Sequence, residues 1–478
     1  MQDNPAAGAP CRVRKVFIRG LKHTRESVIR SELARVERAS TLGEISNGCL
    51  EAAGALQSLG IFEGCDVLVD SAPMTTIGAS GPLADIIVTV NEKKRLTSAA
   101  TGVSTQGGEN SMDANVSVRN AFGWAERLDL NMELGQQKSS TFKLGATRPR
   151  FLGTDAELAA EVSKNGTTHI KHSSFFEKLL GGSLSCRLGS AHSERGMHTF
   201  AYALESRDIC KLPPSTASWA ILQQRGLSLK SSLSHTFALS RLDNPVVPSA
   251  GGAVKLQTEL AGVLPAPLGD VRFVKQTLTA AAYAPLLTDG RLTFGVQLTA
   301  GLLMPFESVL SAPLGVAAGT PAAAHGPPES CISDRFFLGG PGSFWGFRTR
   351  GCGPRELRNS KLGDAEGQLG AKAPRDALGG DVMAVGTASL SAALPGKKLE
   401  EMHARAHVFA SAGGLTGLAA LNAAGSFAPS LRTCVGIGLA VPTSVGRLEL
   451  NLMQVLRRRP EDAVVRNGIQ FGISPNLF

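Results

Sequence analysis

The residues that could do covalent or metal chemistry stand in isolated pairs along this 478-residue chain. His169 and His172, and likewise His403 and His407, have the spacing of paired metal ligands. A zinc site needs at least a third ligand from His, Cys or a carboxylate, and the pattern around these pairs identifies none. We therefore expect solvated histidines that face a polar interior.

The nearest matches to catalytic motifs each lack a residue that the chemistry requires. PTSVG at 442–446 lacks the first glycine of a nucleophile elbow, and PGKK at 395–398 lacks the spaced glycine and the hydroxyl of a phosphate-binding loop. GCG at 351–353 has no third glycine for a dinucleotide site. The eight cysteines include no CxxC pair, which favours free thiols. The sequence predicts a protein that is not an enzyme and that holds no cofactor and no metal.

The most unusual stretch runs from Asp334 to Pro354 and combines aromatic residues with glycine. It places five of the chain's Phe, Trp and Tyr residues between Phe336 and Phe347. Glycine allows close backbone approach and positive φ angles, and Pro341 fixes a turn. This composition indicates a compact loop that packs on itself, and such loops are usually functional.

From residue 95 onward, apolar and polar residues alternate, as in strands with one apolar and one polar face. In Arg127–Leu134, Leu and Met occupy every second position, and Arg, Asp, Asn and Glu occupy the others. Sixteen such segments can be counted, eleven before the aromatic loop and five after it. A soluble sheet of this size needs a second layer over its apolar face, whereas lipid covers that face in a closed barrel. The pattern favours a membrane barrel.

A small domain precedes these strands, after an N-terminal tail at residues 1–11. Its pattern predicts the order β-α-α-β-β over residues 12–92, with helices capped by Thr24 and Ser46. The predicted fold is therefore mainly β: a sixteen-stranded antiparallel transmembrane β-barrel over residues 95–478, preceded by one small α/β domain. The aromatic loop falls in the longest connection, predicted at residues 304–380.

The formal net charge of +9 would suit nucleic acid only if the basic residues were clustered. The single run of three is Arg457, Arg458 and Arg459, so we expect no nucleic-acid partner. The N-terminal residues lack the apolar segment of a secretory signal, which predicts synthesis in the cytosol without a cleavable address.

Five segments resemble the outer-membrane β-barrel assembly family of the BamA type, and most closely the barrel subunit of the mitochondrial sorting and assembly machinery. LGIFEGCDV at 59–67 is similar to the helix-to-strand signature of a POTRA domain, and DRFFLGGP at 334–341 is similar to the family's sixth-loop signature. GLSLKSSLSHTF at 226–237, GRLELN at 446–451 and GIQFGI at 468–473 resemble strands of the mitochondrial subunit.

The resemblance implies an insertase that folds β-barrel precursors and inserts them through a lateral gate between the first and last barrel strands. The first strand, predicted at Arg95–Ser104, is short of large side chains that could pack across a seam, and glycine weakens the last strand. An edge that opens can template another chain. The predicted gate residues are Leu96, Thr97, Ala99, Gly102, Gly468, Ile469, Phe471 and Gly472.

Partners and location also follow from the resemblance. The expected partners are unfolded β-barrel precursors, metaxin-like accessory subunits and the lipid bilayer. The expected location is the mitochondrial outer membrane, with the POTRA domain in the intermembrane space; a plastid outer membrane is the alternative. A passive porin-type or protein-translocating channel is the alternative function. The last strand itself has the order of a client signal, with polar Arg466, Gly468 and the apolar pair Phe471 and Ile473.

The sequence departs from the family at the tip of the loop. Family members carry arginine in an (I/V)RG(F/Y) motif, where this chain has FWGF at 344–347, and a related FxDAG or FxNAG strand pattern stands here as FASAG at 409–413. We hypothesise that aromatic packing by Trp345 replaces an ionic latch, assisted by Arg348 or Arg350, because changing both partners of a buried pair can be nearly neutral. The predicted sixth-loop residues are Asp334, Arg335, Phe336, Phe337, Gly339, Gly340, Pro341, Phe344, Trp345, Gly346, Phe347, Gly351, Gly353 and Pro354.

Overall fold

The computed structural model describes most of the chain. The described residues are 9–71, 82–94, 96–106, 109–136, 139–212, 217–262, 269–287, 290–306, 330–358, 374–443 and 446–474.

The N-terminal domain is a three-stranded sheet covered by two helices. Its elements are β1 (Arg12–Arg19), α1 (Glu26–Leu33), α2 (Leu42–Ser58), β2 (Phe62–Ser71) and β3 (Leu83–Glu92). β3 lies between the other two strands, parallel to β1 and antiparallel to β2. The helices bury apolar residues at three- and four-residue spacing, so one face of each helix covers the sheet. The fully buried core residues are Ile29, Leu33, Ile45, Leu56, Ile61, Ile86 and Val88.

Both predicted helix caps were wrong. α2 begins at Leu42, because the Thr41 hydroxyl accepts the Glu44 amide at 3.2 Å and the Glu44 carboxylate accepts the Ser40 amide at 2.8 Å. This reciprocal arrangement satisfies amides that the first turn leaves unpaired. α1 has no side-chain cap, and the Thr24 hydroxyl instead accepts Asn120 Nδ2 at 2.8 Å.

The rest of the chain forms one antiparallel sheet of sixteen strands, which we call the barrel sheet. Its first eleven strands are β4 (Thr97–Gln106), β5 (Glu109–Arg119), β6 (Arg127–Gly135), β7 (Ser140–Arg148), β8 (Ala156–Thr168), β9 (Phe176–Gly189), β10 (Met197–Cys210), β11 (Gly226–Ser240), β12 (Gly251–Ala261), β13 (Phe273–Pro285) and β14 (Leu292–Pro305). A short pair, β15 (Arg355–Leu357) and β16 (Arg375–Ala377), lies in the next connection. The last five strands are β17 (Val382–Ala393), β18 (Arg405–Thr416), β19 (Leu431–Thr443), β20 (Gly446–Arg457) and β21 (Ile469–Ser474).

This sheet and the β-α-α-β-β domain before it confirm the predicted fold class. Each strand of the sheet pairs with its neighbour in the chain, β14 pairs with β17, and β4 and β21 form the two ends. Two boundaries differ from the prediction. The first strand begins at Thr97, with Arg95 outside the described residues, and β14 continues to Pro305, so the connection that follows it begins at residue 306.

The two faces of the barrel sheet differ in polarity, as β20 shows. Leu450 and Leu452 are 47% and 52% exposed on one face, whereas Glu449 and Asn451 are 2% and 0% exposed on the other. Apolar residues outside and polar residues inside are the reverse of a soluble protein and are typical of strands that face lipid.

The described parts of the connections contain the short helices α3 (Ile170–Ser173), α4 (Trp219–Leu222), α5 (Lys397–Glu401) and α6 (Leu418–Ala424). No helix in the described part of the chain has the length and apolarity needed to cross a membrane.

The N-terminal domain docks on the turn between β5 and β6. Arg25 donates its amide to the Gly123 carbonyl at 2.9 Å, and the guanidinium groups of Arg25 and Arg148 lie 4.2 and 4.1 Å from the Trp124 ring centre. Within the N-terminal domain, the Glu92 carboxylate accepts the amides of His23 and Thr24 at 3.1 and 2.9 Å and so holds the segment that docks. The long connections that contain α3, α4, β15 and β16 lie at the opposite end of the barrel sheet, because each strand reverses direction.

Candidate functional site

The connection between β14 and β17, which we call the sixth loop, folds back on itself through short main-chain bridges. Phe336 and Gly380 exchange two hydrogen bonds of 2.9 Å, and Cys352 donates its amide to the Leu338 carbonyl at 3.0 Å. Gly339 has a φ of +114°, and a Cβ there would lie 2.5 Å from the Arg348 carbonyl oxygen. Only glycine fits this backbone crossing. The predicted compact loop is present in the structure.

The barrel sheet curves round this loop. Phe336, Phe344 and Phe347 pack into one apolar cluster with residues of β14, β17 and β18, and the Phe344 and Phe347 rings stack with centres 5.0 Å apart. On the other side, a cavity of about 340 Å³ separates Thr349 and Arg350 from residues of β5 to β8. Strands from both halves of the sheet thus face the loop, which lies in the interior.

Asp334 attaches the base of the loop to the wall of the barrel sheet. Its carboxylate, 2% exposed, accepts Arg207 Nη1 of β10 at 2.8 Å and Lys230 Nζ of β11 at 3.2 Å. Lys275 Nζ of β13 donates to the Asp334 main-chain oxygen at 2.7 Å. Charge-assisted hydrogen bonds of this kind are about twice as strong as neutral ones. We call this arrangement the Asp334 anchor.

The register of strands β10 to β13 brings together the charged residues of the barrel sheet that take part in the Asp334 anchor. Glu205 of β10 stands directly opposite Lys230, and Glu259 of β12 stands directly opposite Lys275. Glu205 also accepts Arg207 Nη2 at 2.7 Å. With Asp334 in place, the three cations face three carboxylates, so the buried charges balance.

Trp345 occupies the position at which the resemblance described above predicts arginine. It is 8% exposed and packs against Phe409 of β18, Cys434 of β19 and Met453 of β20. Ser411, at the polar position of the related strand pattern, shares a 2.9 Å hydrogen bond with Thr387. The structure therefore shows apolar packing of Trp345 at the tip, and the replacement of an ionic latch by this packing stays a hypothesis.

The two arginines expected to assist Trp345 lie elsewhere. The Arg350 guanidinium stacks 3.9 Å from the Phe337 ring centre, and the Arg348 side chain is exposed. Arg335 donates to the Ser330 hydroxyl at 2.7 Å, and the Pro354 carbonyl accepts the Leu378 amide at 3.0 Å. These contacts stabilise the loop itself.

The sixth loop also contacts the terminal hairpin formed by β20, β21 and the residues that connect them. Three main-chain hydrogen bonds join the loop to this connection: Arg348 N to Ala463 O at 2.8 Å, Ala463 N to Gly351 O at 2.9 Å, and Val465 N to Gly346 O at 3.0 Å. Farther along, Gln470 of β21 accepts the Gly346 amide at 3.2 Å and donates Nε2 to the Phe347 carbonyl at 3.3 Å.

The predicted gate residues lie on the two end strands or beside them. β4 pairs with β5 over ten residues, and β21 pairs with β20 over six. Within the described ranges, no ladder joins β4 to β21. Thr97 and Ala99 are exposed on β4, and Gly102 lies close to Asp113 of β5.

The other gate residues divide between the two faces of β21 and the strand ends. Ile469 and Phe471 are 57% and 62% exposed on the outer face of β21, whereas Gly472 lies on the inner face beside Pro341. Gly468 precedes that strand. Leu96 precedes β4 and packs against the core of the N-terminal domain, so it lies away from the seam.

Two buried carboxylates that the sequence reasoning missed hold the connections in place. Asp376, fully buried, accepts Ser174 Oγ at 2.7 Å, the Ser218 amide at 3.0 Å and Arg358 Nε at 2.7 Å. It thereby joins the β8–β9 and β10–β11 connections to the sixth loop. The second carboxylate, Asp462, forms a two-pronged ion pair with Arg432 of β19 at 2.9 and 3.0 Å.

The chain is similar to known membrane assembly proteins along nearly its whole length. It is 28% identical over 474 residues to a SAM50-like protein of Schizosaccharomyces pombe, covering 97% of this chain and 90% of that protein. It is 28% identical over 469 residues to the sorting and assembly machinery component 50 homolog of Homo sapiens, covering 96% of this chain and 89% of that protein.

Solved structures share the fold. BamA from Haemophilus ducreyi lacking POTRA domains 1–3 superposes with a TM-score of 0.74 at 19% identity, covering 96% of this chain and 83% of that chain. CdiB from Acinetobacter baumannii gives a TM-score of 0.50 at 12% identity, covering 95% and 72%. The model of the Omp85 superfamily domain matches residues 120–476. Because that match spans most of the sequence, and because the predicted BamA-type resemblance is thereby confirmed, the chain belongs to the Omp85 superfamily.

Proposed function

We propose that this chain is an outer-membrane insertase, which folds β-barrel precursors and inserts them through a lateral gate between β4 and β21. The observation that supports the gate is that β4 and β21, the two end strands of the barrel sheet, each have one edge without a paired strand in the described residues. An unpaired edge presents main-chain donors and acceptors on which an incoming strand can form. The proposed function is to template the fold of another strand through hydrogen bonds. No covalent bond is made or broken, so no catalytic residue is required.

The asymmetry of the two end strands supports this mechanism. Within the described residues, β21 pairs with β20 over six residues, whereas β10 pairs with β11 over thirteen. β4 carries alanine, serine and threonine over most of its first half. Few large side chains are therefore available to pack across a seam, and separating the strands costs little buried apolar area.

The proposed setting follows from the relatives. We place the protein in the mitochondrial outer membrane, because relatives over nearly its whole length are named as components of a sorting and assembly machinery, and we place the N-terminal domain in the intermembrane space. The proposed partners are β-barrel precursors, metaxin-like accessory subunits and the surrounding lipid.

A passive channel is the competing function, and the filled interior argues against it. The Asp334 anchor and the buried Phe344 and Phe347 occupy the space inside the barrel sheet that an open pore would need. Moving these groups would break charge-assisted hydrogen bonds in a buried site.

The test is depletion of the protein, followed by import of a pulse-labelled β-barrel precursor into the isolated organelle. We expect precursor assembly to slow, and assembly at the normal rate would contradict the proposal. A photo-crosslinking amino acid at Ala99 on β4 should capture the precursor in transit. The same group at Phe200, which is 46% exposed on the outer face of an internal strand, is the matched control and should not.

A further inference from the structure

Arg350 of the sixth loop is a buried cation without a hydrogen-bond partner among the described residues. Its guanidinium lies over the Phe337 ring, 3.9 Å from the ring centre, and Nη1 is buried with no acceptor in reach. The main chain of Arg350 has a φ of +54°, a region that residues other than glycine seldom adopt. A buried donor without a partner costs free energy, so folded proteins rarely keep one without a reason.

The acidic group closest in effect to Arg350 already has another partner. Glu177 of β9 is the carboxylate that acts on the pKa of Arg350, and it lies 3.6 Å from His169 Nε2. Burial has the larger effect and lowers the pKa of Arg350 to about 10. The guanidinium therefore remains charged at neutral pH, and the neighbouring carboxylate is shared with a histidine.

Arg350 lines the cavity of about 340 Å³ that separates the sixth loop from β5 to β8. Lys171 and His172 of α3 line the same cavity from the β8–β9 connection. The acidic residue in the described lining is Glu133 of β6, whose carboxylate accepts the Ser111 hydroxyl at 2.6 Å. Further hydrogen-bond donors come from hydroxyl side chains in the lining, among them those of Ser140, Thr141 and Thr349.

The pKa of His172 shows that the surroundings of this cavity disfavour a further positive charge. Burial is the main reason that this pKa falls to about 4. The positive charges of neighbouring side chains act in the same direction, and they belong to Arg350, Arg355, Lys171 and His169. Surroundings that oppose the protonation of a histidine favour a bound anion.

We propose that this cavity binds a small oxyanion of the phosphate type, held by Arg350 of the sixth loop and by Lys171 and His172 of the β8–β9 connection. Arginine and lysine are the side chains that proteins use to hold phosphate. A phosphate group presents more acceptor oxygens than a carboxylate, which suits donors that come from two segments of the chain. The volume is at the lower end of the range for small-molecule sites, about 300–1,000 Å³.

The bound ion gives the sixth loop a second attachment to the barrel sheet. The Asp334 anchor holds the base of the loop to β10, β11 and β13. The ion joins Arg350 to the β8–β9 connection, on a different part of the wall, through charge-assisted hydrogen bonds. This attachment depends on a ligand, whereas the Asp334 anchor does not. The inference goes beyond the proposed insertase function and does not depend on it.

The first experiment titrates the full-length protein in lipid nanodiscs with inorganic phosphate at constant ionic strength, and calorimetry gives the dissociation constant. We expect Arg350→Gln to weaken binding about tenfold or more, because it removes charge-assisted hydrogen bonds. Arg348→Gln is the matched control, since Arg348 is an exposed arginine of the same loop, and it should bind phosphate as the wild type does. Equal binding by Arg350→Gln and the wild type would overturn the inference.

A second variant tests the site from the opposite wall, because Arg350→Gln also removes the contact with Phe337. Lys171→Met combined with His172→Asn leaves the sixth loop unchanged. We expect this double variant to weaken phosphate binding about tenfold as well. Wild-type affinity in the double variant would contradict the proposed site.

The second experiment locates the ion by measuring the pKa of His172 by NMR. A bound anion favours the charged imidazole, so phosphate should raise the pKa of His172 by about 1 or more, relative to chloride at the same ionic strength. His192, an exposed residue of the β9–β10 connection, is the control and should not change. An unchanged His172 in the presence of bound phosphate would place the ion elsewhere and overturn the inference.

The third experiment distinguishes a free ion from a phosphate group carried by a larger molecule. Inorganic phosphate and glycerol 3-phosphate are titrated in parallel into the wild-type protein. Tighter binding of inorganic phosphate assigns the cavity to the free ion, and tighter binding of glycerol 3-phosphate assigns it to a phosphomonoester. If neither compound binds, the cavity is not an oxyanion site.

Discussion

Asp334 of the sixth loop and Arg207 of β10 form an ion pair of 2.8 Å in which both side chains are less than a tenth exposed. The loop is thus held by its own carboxylate against cations of the wall. The tip, where the family has a charged residue, is held by the packing of Trp345.

Removing the carboxylate should release the base of the loop. Asp334→Ala leaves Arg207 and Lys230 buried with one counter-charge fewer, which we expect to cost about 3–5 kcal/mol of barrel stability. The measurement is the thermal unfolding of the barrel by its gel mobility. Glu161→Ala, which breaks the exposed pair with Lys143, should cost no more than about 1 kcal/mol. Equal losses in the two variants would contradict the Asp334 anchor.

Trp345→Ala should loosen the tip of the loop. It opens a cavity against Phe409, Cys434 and Met453, which typically costs about 3–5 kcal/mol. We expect slower assembly of a labelled precursor and greater protease sensitivity of the loop. Unchanged precursor insertion would disprove the packing role.

The family's ionic latch can be rebuilt as a test of the substitution at the tip. Trp345→Arg alone should be at least as damaging as Trp345→Ala, because the new charge has no carboxylate partner on β18. Adding Ser411→Asp supplies that partner and should recover much of the loss. If the double variant is no better than Trp345→Arg, the two positions do not form an exchangeable pair.

The segment of the N-terminal domain that docks on the barrel sheet should loosen in acid, because the Glu92 carboxylate of the same domain holds it. Burial alone would raise the pKa of the Glu92 carboxyl, but the hydrogen bonds from Thr24, Lys22 and His23 outweigh it and hold the pKa below the ordinary value of 4.5. Because the pKa of Glu92 is lowered in the native state, its carboxylate stabilises the docking segment fully at pH values above the ordinary pKa of 4.5. This stabilisation is lost as the pH falls through the lower, native pKa.

Hydrogen-exchange protection factors of the His23 and Thr24 amides, followed from neutral pH down through that range, measure this effect. We expect the protection to fall in the wild-type protein and to be low and independent of pH in Glu92→Gln. A pH-independent wild type would contradict the assignment.

The buried pair of Arg432 and Asp462 tests how the terminal hairpin is held. Arg432→Met alone strands a carboxylate and should cost about 3–5 kcal/mol, whereas Arg432→Met with Asp462→Leu should be close to neutral. Thermal unfolding of the two variants decides the matter. Similar losses in both would mean that shape, not charge balance, governs this site.

The alternation of apolar and polar residues was enough to predict the strands. In a segment such as Arg127–Leu134, every second residue lies on the same face, so the sequence alone shows which face is apolar. The Asp334 anchor could not be predicted in this way. Arg207, Lys230 and Lys275 each look like one more polar residue of an alternating strand, and only the register brings Glu205 opposite Lys230. Register depends on pairing between segments, which no single segment encodes.

The predictions of where the two helices begin were wrong for a different reason. Thr24 and Ser46 are both good capping residues, but Thr41 with Glu44 makes the stronger reciprocal cap, and Thr24 is used by Asn120 in docking. The contact of the Gln470 side-chain amide with the loop could not be predicted either, because its two partners are main-chain groups far away in the sequence.

The bonds to Asp376 have a mechanical consequence for a barrel that opens. One carboxylate ties the β8–β9 and β10–β11 connections to the segment that leads into β17, so the strands between them cannot spread apart at that rim without breaking buried hydrogen bonds. Widening of the barrel must therefore be concentrated in the strands that these hydrogen bonds do not restrain. Those strands are β4 to β7 on one side and β18 to β21 on the other. The barrel would open at the seam between β4 and β21, and the strands on the opposite side would keep their positions.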